Sequence, residues 1–218
     1  MLDWPGRVSA TLFLSGCSLR CPYCHNPGLQ RATTGSLDWR GLVTHLRSKR
    51  SWLDGVVVTG GEPTEDPDLP SLLAALAEEG FGVKLDTNGS RPDVLRLLIA
   101  EGLVEYVALD VKADAGRYGE ATGTVDIWSN VAACIELLVS HDIRHEFRTT
   151  VYPAAVSPED LPRIAERLRG GTLYALQQFK PETAATPEAR SVRPYDPRQL
   201  QEAALACTHH LPTVVRGI

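Results

Sequence analysis

The sequence predicts an α/β fold, an open partial (β/α)6 barrel with parallel strands inside and helices outside. Three observations carry this. Short β-rich runs recur along the chain, each followed by an apolar pattern of helical period. Several runs, such as Val56-Val57-Val58, are continuously apolar, as strands covered on both faces of a parallel sheet must be. Polar residues gather directly after the runs, where parallel α/β architectures collect ligands. Such units in series imply right-handed parallel crossovers, and six are too few to close an eight-fold barrel.

The first strand candidate, Arg7–Ser15, leads into a cysteine-rich loop at residues 16–27. Leu42, Val43 and Leu46 mark the next helix, and Gly55–Thr59 is the second strand. Leu69, Leu72, Leu73 and Leu76 share one helix face, and Gly80 stops that helix. After the third strand, Gly82–Asp86, Val94, Leu95 and Leu98 follow Pro92 in a helix that Gly102 ends. Tyr106–Asp110 is the fourth strand, followed by a helix carrying Ile127, Val131, Ile135 and Leu138. After His145–Tyr152, the fifth strand, Ser157-Pro158 opens a helix containing Leu161, Ile164 and Leu168. Leu173–Phe179 is the sixth strand, and Asp196-Pro197 opens the last helix, with Leu200 and Ala204 facing in.

The 218 residues read as one domain, 1–218, long enough to bury most of its unfolded surface in one core. A formal charge of −5 argues against a nucleic-acid partner. No run of eighteen apolar residues predicts a membrane span, and no secretory signal pattern opens the chain, so a cytoplasmic protein is expected. Five cysteines, three of them clustered, do not make a disulfide framework. Cys134 and Cys207 continue the apolar faces of their helices and read as small core residues.

Cys17, Cys21 and Cys24 stand in the spacing Cys-x3-Cys-x2-Cys. Three thiolates on one short loop suit three irons of a [4Fe–4S] cluster, leaving the fourth iron open to a small molecule, since such clusters normally take four cysteines. A Cys3His zinc site using His25 is the alternative. His25 is adjacent to Cys24, where both side chains rarely reach one ion, and no second ligand pair follows. Further polar groups end the other strands: Gly60, Gly61 and Glu62 the second, Asp86, Thr87 and Asn88 the third, Asp110 and Lys112 the fourth, Gln178 the sixth. Each has a plainer reading. Turn chemistry explains Gly and Pro in Gly60-Gly61-Glu62-Pro63 but not Glu; Asp86 and Asn88 before Gly89 suit a turn or cap; a lone lysine such as Lys112 is usually solvated.

The stretch Leu2-Asp3-Trp4-Pro5-Gly6, the loop from Gly16 through Cys24-His25-Asn26-Pro27, Thr59-Gly60-Gly61-Glu62-Pro63, Asp86-Thr87-Asn88-Gly89, Asp110-Val111-Lys112 and Gln177-Gln178-Phe179 occur in a characteristic order. Together they resemble the radical S-adenosylmethionine (radical SAM) superfamily. Within it they are most similar to the activating enzymes of glycyl-radical proteins, above all the anaerobic ribonucleoside-triphosphate reductase activases. The resemblance implies a [4Fe–4S] cluster on Cys17, Cys21 and Cys24, and S-adenosylmethionine as second cofactor. It implies that Gly60, Gly61 and Glu62 meet the methionine amino group, and that Tyr23 contacts adenine. Asp86, Thr87, Asp110 and Lys112 would address the ribose and methionine end, and Asn88 would be a further cofactor-binding residue. Arg148, in an Arg-Thr-Thr-Val-Tyr-Pro stretch similar to the fifth-strand motif of pyruvate formate-lyase activase, would contact cofactor or partner.

The same resemblance implies an anaerobic oxidoreductase. Its partners would be a large glycyl-radical enzyme, anaerobic ribonucleotide reductase first, and a low-potential donor such as flavodoxin or ferredoxin. A small-molecule radical SAM enzyme of the 7-carboxy-7-deazaguanine synthase kind is the second reading, with Arg190, Arg193 and Arg198 available to an anionic substrate. A non-catalytic metal-binding protein is the third, and it leaves the Gly-Gly-Glu and Asp-Val-Lys strand ends unexplained.

Overall fold

The computed structural model describes residues 3–31, 39–123 and 127–218. Its strands are β1 (Ser9–Leu14), β2 (Gly55–Gly60), β3 (Gly82–Thr87), β4 (Tyr106–Asp110), β5 (Arg144–Val151), β6 (Tyr174–Gln178) and β7 (Thr213–Arg216). They form one sheet in sequence order, and every neighbouring pair is parallel. The edge strands β1 and β7 do not pair with each other, so the barrel wall is open on one side.

Helices α1 (Trp39–Ser48), α2 (Leu69–Glu78), α3 (Pro92–Ala100), α4 (Tyr118–Thr122), α5 (Trp128–Ser140), α6 (Leu161–Arg167), α7 (Pro187–Arg190) and α8 (Pro197–Cys207) connect the strands. Prolines sit in the first turns of α2, α3, α6 and α8, where a missing N–H costs nothing. Asp196 caps α8 through a capping box with Gln199.

The six expected strands are all present, with ends shifted by a residue or two. The expectation of six units is corrected by a seventh strand: Thr213–Arg216 returns from α8 and pairs with β6. Two short helices, α4 and α7, were not expected either; at five and four residues they carry too little periodicity to show.

Alternation along the strands divides the wall into two faces. Val56, Val58, Val83, Leu85, Val107, Leu109, Phe147, Tyr174 and Leu176 face outward into one large core with the helices. From the helices come Leu69, Leu73, Leu95, Leu98, Val131, Leu138, Ile164 and Leu200. The intervening residues face the barrel interior. At its N-terminal end Trp4, 1% exposed, packs with Val57 and Tyr106 and forms a floor. Above the floor the interior is polar and charged.

Candidate active site

The cysteine loop is held by its backbone. Gly16 N–H donates to Leu29 O at 2.7 Å, Cys17 N–H to Gln30 O at 3.2 Å, Arg20 N–H to Thr122 O at 2.8 Å and Cys24 N–H to Cys21 O at 3.1 Å. Leu19, Cys21 and Tyr23 are buried and pin the loop, while Cys17 and Cys24 are half-buried. Ser18 fixes the loop to the second strand end, donating from its N–H and Oγ to Glu65 at 2.9 and 2.5 Å.

The turn after β2 lies directly against this loop. Gly61 N–H donates to Leu14 O at 2.8 Å and Glu62 N–H to Gly16 O at 2.7 Å. A Cβ at Gly60 would collide with the Leu14 carbonyl, and one at Gly61 with the Gly16 carbonyl; Gly60 also has φ +132°. The loop's own backbone therefore already demands both glycines. Glu62, 2% exposed, turns its carboxylate to the neighbouring strand end. It accepts from Thr64 N–H at 3.1 Å, Thr64 Oγ1, Thr87 Oγ1 at 2.6 Å and Asn88 N–H at 2.6 Å. Burial raises the Glu62 carboxyl above its usual range despite these bonds. Asn88 in turn reaches Cys17 Sγ at 3.7 Å through its side-chain amide.

The charged groups of β3, β4 and β5 form a chain. Lys84 pairs with Asp86; Arg148 donates to Asp86 at 3.0 Å and to Asp110 at 2.8 Å; Lys112 pairs with Asp110 at 3.4 Å. Burial alone would raise the Asp110 carboxyl, but Arg148 and Lys112 outweigh it and hold it down at about 2. Against burial, Asp110 holds the Lys112 ammonium above its ordinary value, and Asp110 and Asp86 together do the same for the Arg148 guanidinium. All three cations are therefore spoken for.

The cluster and cofactor residues expected from the sequence meet in one pocket of about 220 Å³: Cys17, Cys21, Tyr23 and Cys24; Gly60, Gly61 and Glu62; Asp86, Thr87 and Asn88; Asp110 and Lys112; Arg148. His25 is exposed and lines its mouth. Gln178 is the correction. Its amide donates to Tyr195 O at 3.0 Å, and Gln177 is the residue that lines the pocket. Strand alternation puts neighbouring residues on opposite faces, so Gln177 turns into the barrel and Gln178 away from it. Thr150 lines the pocket as well; its place two residues after Arg148 on β5 was the available signal. Arg190, Arg193 and Arg198 are exposed and do not line the pocket, and Arg190 donates to Ala184 O at 2.8 Å. Cys134 and Cys207 are fully buried on α5 and α8.

The donor set fits an iron–sulfur cubane. Three soft sulfur donors stand on one anchored loop and line one pocket. Burial pushes the Cys17 thiol up to about 12 and raises Cys21, as expected for thiols that ionise only with a metal at hand. Among the described residues no group of His, Cys, Asp or Glu is gathered tightly enough for a single ion. A cubane needs no such convergence, because each thiolate meets a different iron. The Tyr23 hydroxyl, buried without a hydrogen-bond partner among the described residues, and the polar strand ends fit a cofactor with hydroxyl, amino and carboxylate groups.

A parallel partial barrel with three thiols and a ring of polar strand ends defines a class of cofactor-dependent enzyme. The family model of the radical SAM superfamily matches residues 11–170, and the chain belongs to that superfamily. Its cofactors are a [4Fe–4S] cluster and S-adenosylmethionine. Among its relatives is a protein of Methanocaldococcus jannaschii, provisionally named a glycyl-radical enzyme activating enzyme. The two are 32% identical over 98% of this chain and 90% of the relative. A 7-carboxy-7-deazaguanine synthase of Aquifex aeolicus is 34% identical over 39% of this chain and 38% of its own. The crystal structure of Streptococcus suis SuiB bound to S-adenosylmethionine shares the fold, with TM-score 0.74 and 16% identity, covering 96% of this chain and 50% of SuiB. Among the described residues no helix is long and apolar enough to cross a membrane.

Proposed function

We propose that the protein is a glycyl-radical-enzyme activase: it generates a glycyl radical on a large partner enzyme, anaerobic ribonucleotide reductase first among candidates. The observation that carries this is the near full-length match to the archaeal activating enzyme, whereas the synthase match covers 39% of the chain. A second observation weighs against a small anionic substrate. Lys112 and Arg148 line the pocket already paired with carboxylates, and the C-terminal arginines lie outside it. In this reading residues 1–218 work as one unit, supplied with electrons by a flavodoxin or ferredoxin.

Cys17, Cys21 and Cys24 hold the cluster, and Asn88 buttresses Cys17. The Gly60–Glu62 turn receives the amino end of S-adenosylmethionine through its backbone, with the Glu62 carboxylate bracing the turn. Thr87, Asp86, Asp110 and Lys112 address the ribose and methionine end, and Tyr23 takes adenine. When bound, the reduced cluster and S-adenosylmethionine supply reductive cleavage and a hydrogen-abstracting radical. The chain's part is to orient the cofactor and keep water from the reacting atoms, which the partner's own loop completes by covering the open side.

The test is anaerobic reconstitution, reduction, and addition of S-adenosylmethionine with the candidate reductase. A glycyl-radical doublet on the partner is expected, with deuterium from the glycine Cα appearing in 5′-deoxyadenosine. Turnover stimulated by a carboxylated pterin, with no deuterium arriving from any glycine, would replace this reading with the small-molecule one.

A further inference from the structure

Lys84 is buried to 1% inside the barrel, and neither the cluster nor the pocket lining uses it. Lysine is almost never fully buried without a reason. Its partner is Asp86, two residues on and therefore on the same inner face of β3. Its ammonium also lies 5.8 Å from the centroid of the Tyr106 ring. That ring is itself fixed. Tyr106 OH donates to Glu146 at 3.3 Å, and Arg216 holds both oxygens of Glu146 at 3.1 and 2.7 Å. The floor beneath Lys84 is thus tied across β4, β5 and β7.

Asp86 is shared between two cations that come from different depths. Lys84 takes Oδ1 from below, and Arg148 takes Oδ2 from the side at 3.0 Å while also holding Asp110. Both Asp86 and Arg148 line the pocket; Lys84 does not. Without the ammonium, Oδ1 loses its donor and Asp86 is left to Arg148, a guanidinium it shares with Asp110. We propose that Lys84 is a positioning residue: it clamps Asp86 from beneath the pocket and thereby sets where Asp86 and Arg148 stand toward S-adenosylmethionine. This rests on the reading that the strand-end aspartates face that cofactor.

The test is equilibrium dialysis of S-adenosylmethionine against anaerobically reconstituted protein, with iron content and melting temperature recorded for each variant. Lys84→Met should weaken binding about tenfold or more, the size expected when a charged hydrogen bond loses one side. The electron-spin signal of its reduced cluster should match wild type without S-adenosylmethionine, and should change only at higher cofactor concentration. Lys84→Arg, which keeps the charge, should restore most of the affinity. In an Asp86→Asn background, Lys84→Met should add almost nothing further.

Wild-type affinity in Lys84→Met, or the same loss with and without Asp86, overturns the proposal. If Lys84→Met does not hold its cluster, Lys84→Gln carries the same expectation. Failure of both neutral variants to fold, with Lys84→Arg folded, would make Lys84 purely structural and overturns it too. Asp86→Asn binding like wild type would instead sink the underlying reading that Asp86 faces the cofactor.

Discussion

The outer and inner faces of the barrel wall follow different rules although they share every strand. On β3, Val83 and Leu85 go outward to the helices and Lys84 and Asp86 go inward. On β4, Leu109 goes outward and Asp110 inward; on β5, Phe147 outward and Arg148 inward. Outside, the driving force is non-directional burial, so residues of similar volume can replace one another at small cost. Inside, each charge is defined by the atoms it meets, and removing one strands its partner. Stability is therefore concentrated on one face and function on the other.

The sharpest way to break this comparison uses one residue type in both places. Cys17→Ala, Cys21→Ala or Cys24→Ala should each abolish the cluster, read as loss of the roughly four irons and four sulfides of a cubane per chain. Cys134→Ala and Cys207→Ala, in the outer core, should keep full iron content and lose only stability. Full iron content in Cys21→Ala would refute the ligand assignment.

Adjacent residues on β4 give the next largest effect. Leu109→Ala should cost about 2–5 kcal/mol of unfolding free energy, as fully buried leucines do, with unchanged S-adenosylmethionine affinity in the folded fraction. Asp110→Asn should lose about one to two decades in affinity as well as the stability given up when Arg148 and Lys112 lose their shared carboxylate. If both variants lose stability and neither loses affinity, the inner charges are structural and the two faces do not differ in role.

Gln177 and Gln178 repeat the contrast at lower amplitude. Gln177→Ala should slow turnover several-fold with an unchanged melting temperature. Gln178→Ala should cost about 1 kcal/mol by losing its bond to Tyr195 O, and leave turnover alone. The opposite pattern would show that Gln178 is the pocket residue after all.

The same pair shows where the sequence stopped being informative. Tyr174-Ala175-Leu176 is apolar throughout, so nothing in the pattern says which face the following glutamines take. The third strand has the same difficulty. A lysine at 84 interrupts an apolar run and looks like a flaw until Asp86 and Tyr106 are seen around it. Strand β7 is four residues with Val214 exposed, too short to alternate visibly. The cysteine loop and the strand-end motifs were legible because their chemistry is carried by residue identity within a few positions. Pairings across strands, such as Arg148 with Asp86 and Asp110, depend on register, which local sequence does not encode.

The smallest effect should come from an outer-face residue that is polar, His145, next to Phe147 on the outside of β5. Its Nδ1 sits 2.8 Å from Ile143 O and must donate; its Nε2 accepts from Thr172 N–H at 3.3 Å. Both bonds require the neutral ring, because protonating Nε2 would set a proton against the Thr172 N–H. Burial lowers the His145 pKa below the ordinary 6.5, against a weaker opposing pull from Ile143 O. The unfolded chain thus binds the proton more readily than the folded one. Stability from this residue is complete above about 6.5 and falls as pH drops toward the lower folded value. His145→Gln should be less stable than wild type by about 1 kcal/mol at pH 7.5, and the gap should narrow by pH 5.5. Urea titrations of both proteins at the two pH values measure this, and S-adenosylmethionine affinity at pH 7.5 should not move. A gap that stays constant with pH would mean that His145 is held by packing alone. A fall in affinity would mean that the outer face reaches the site, and the division between the two faces would not hold.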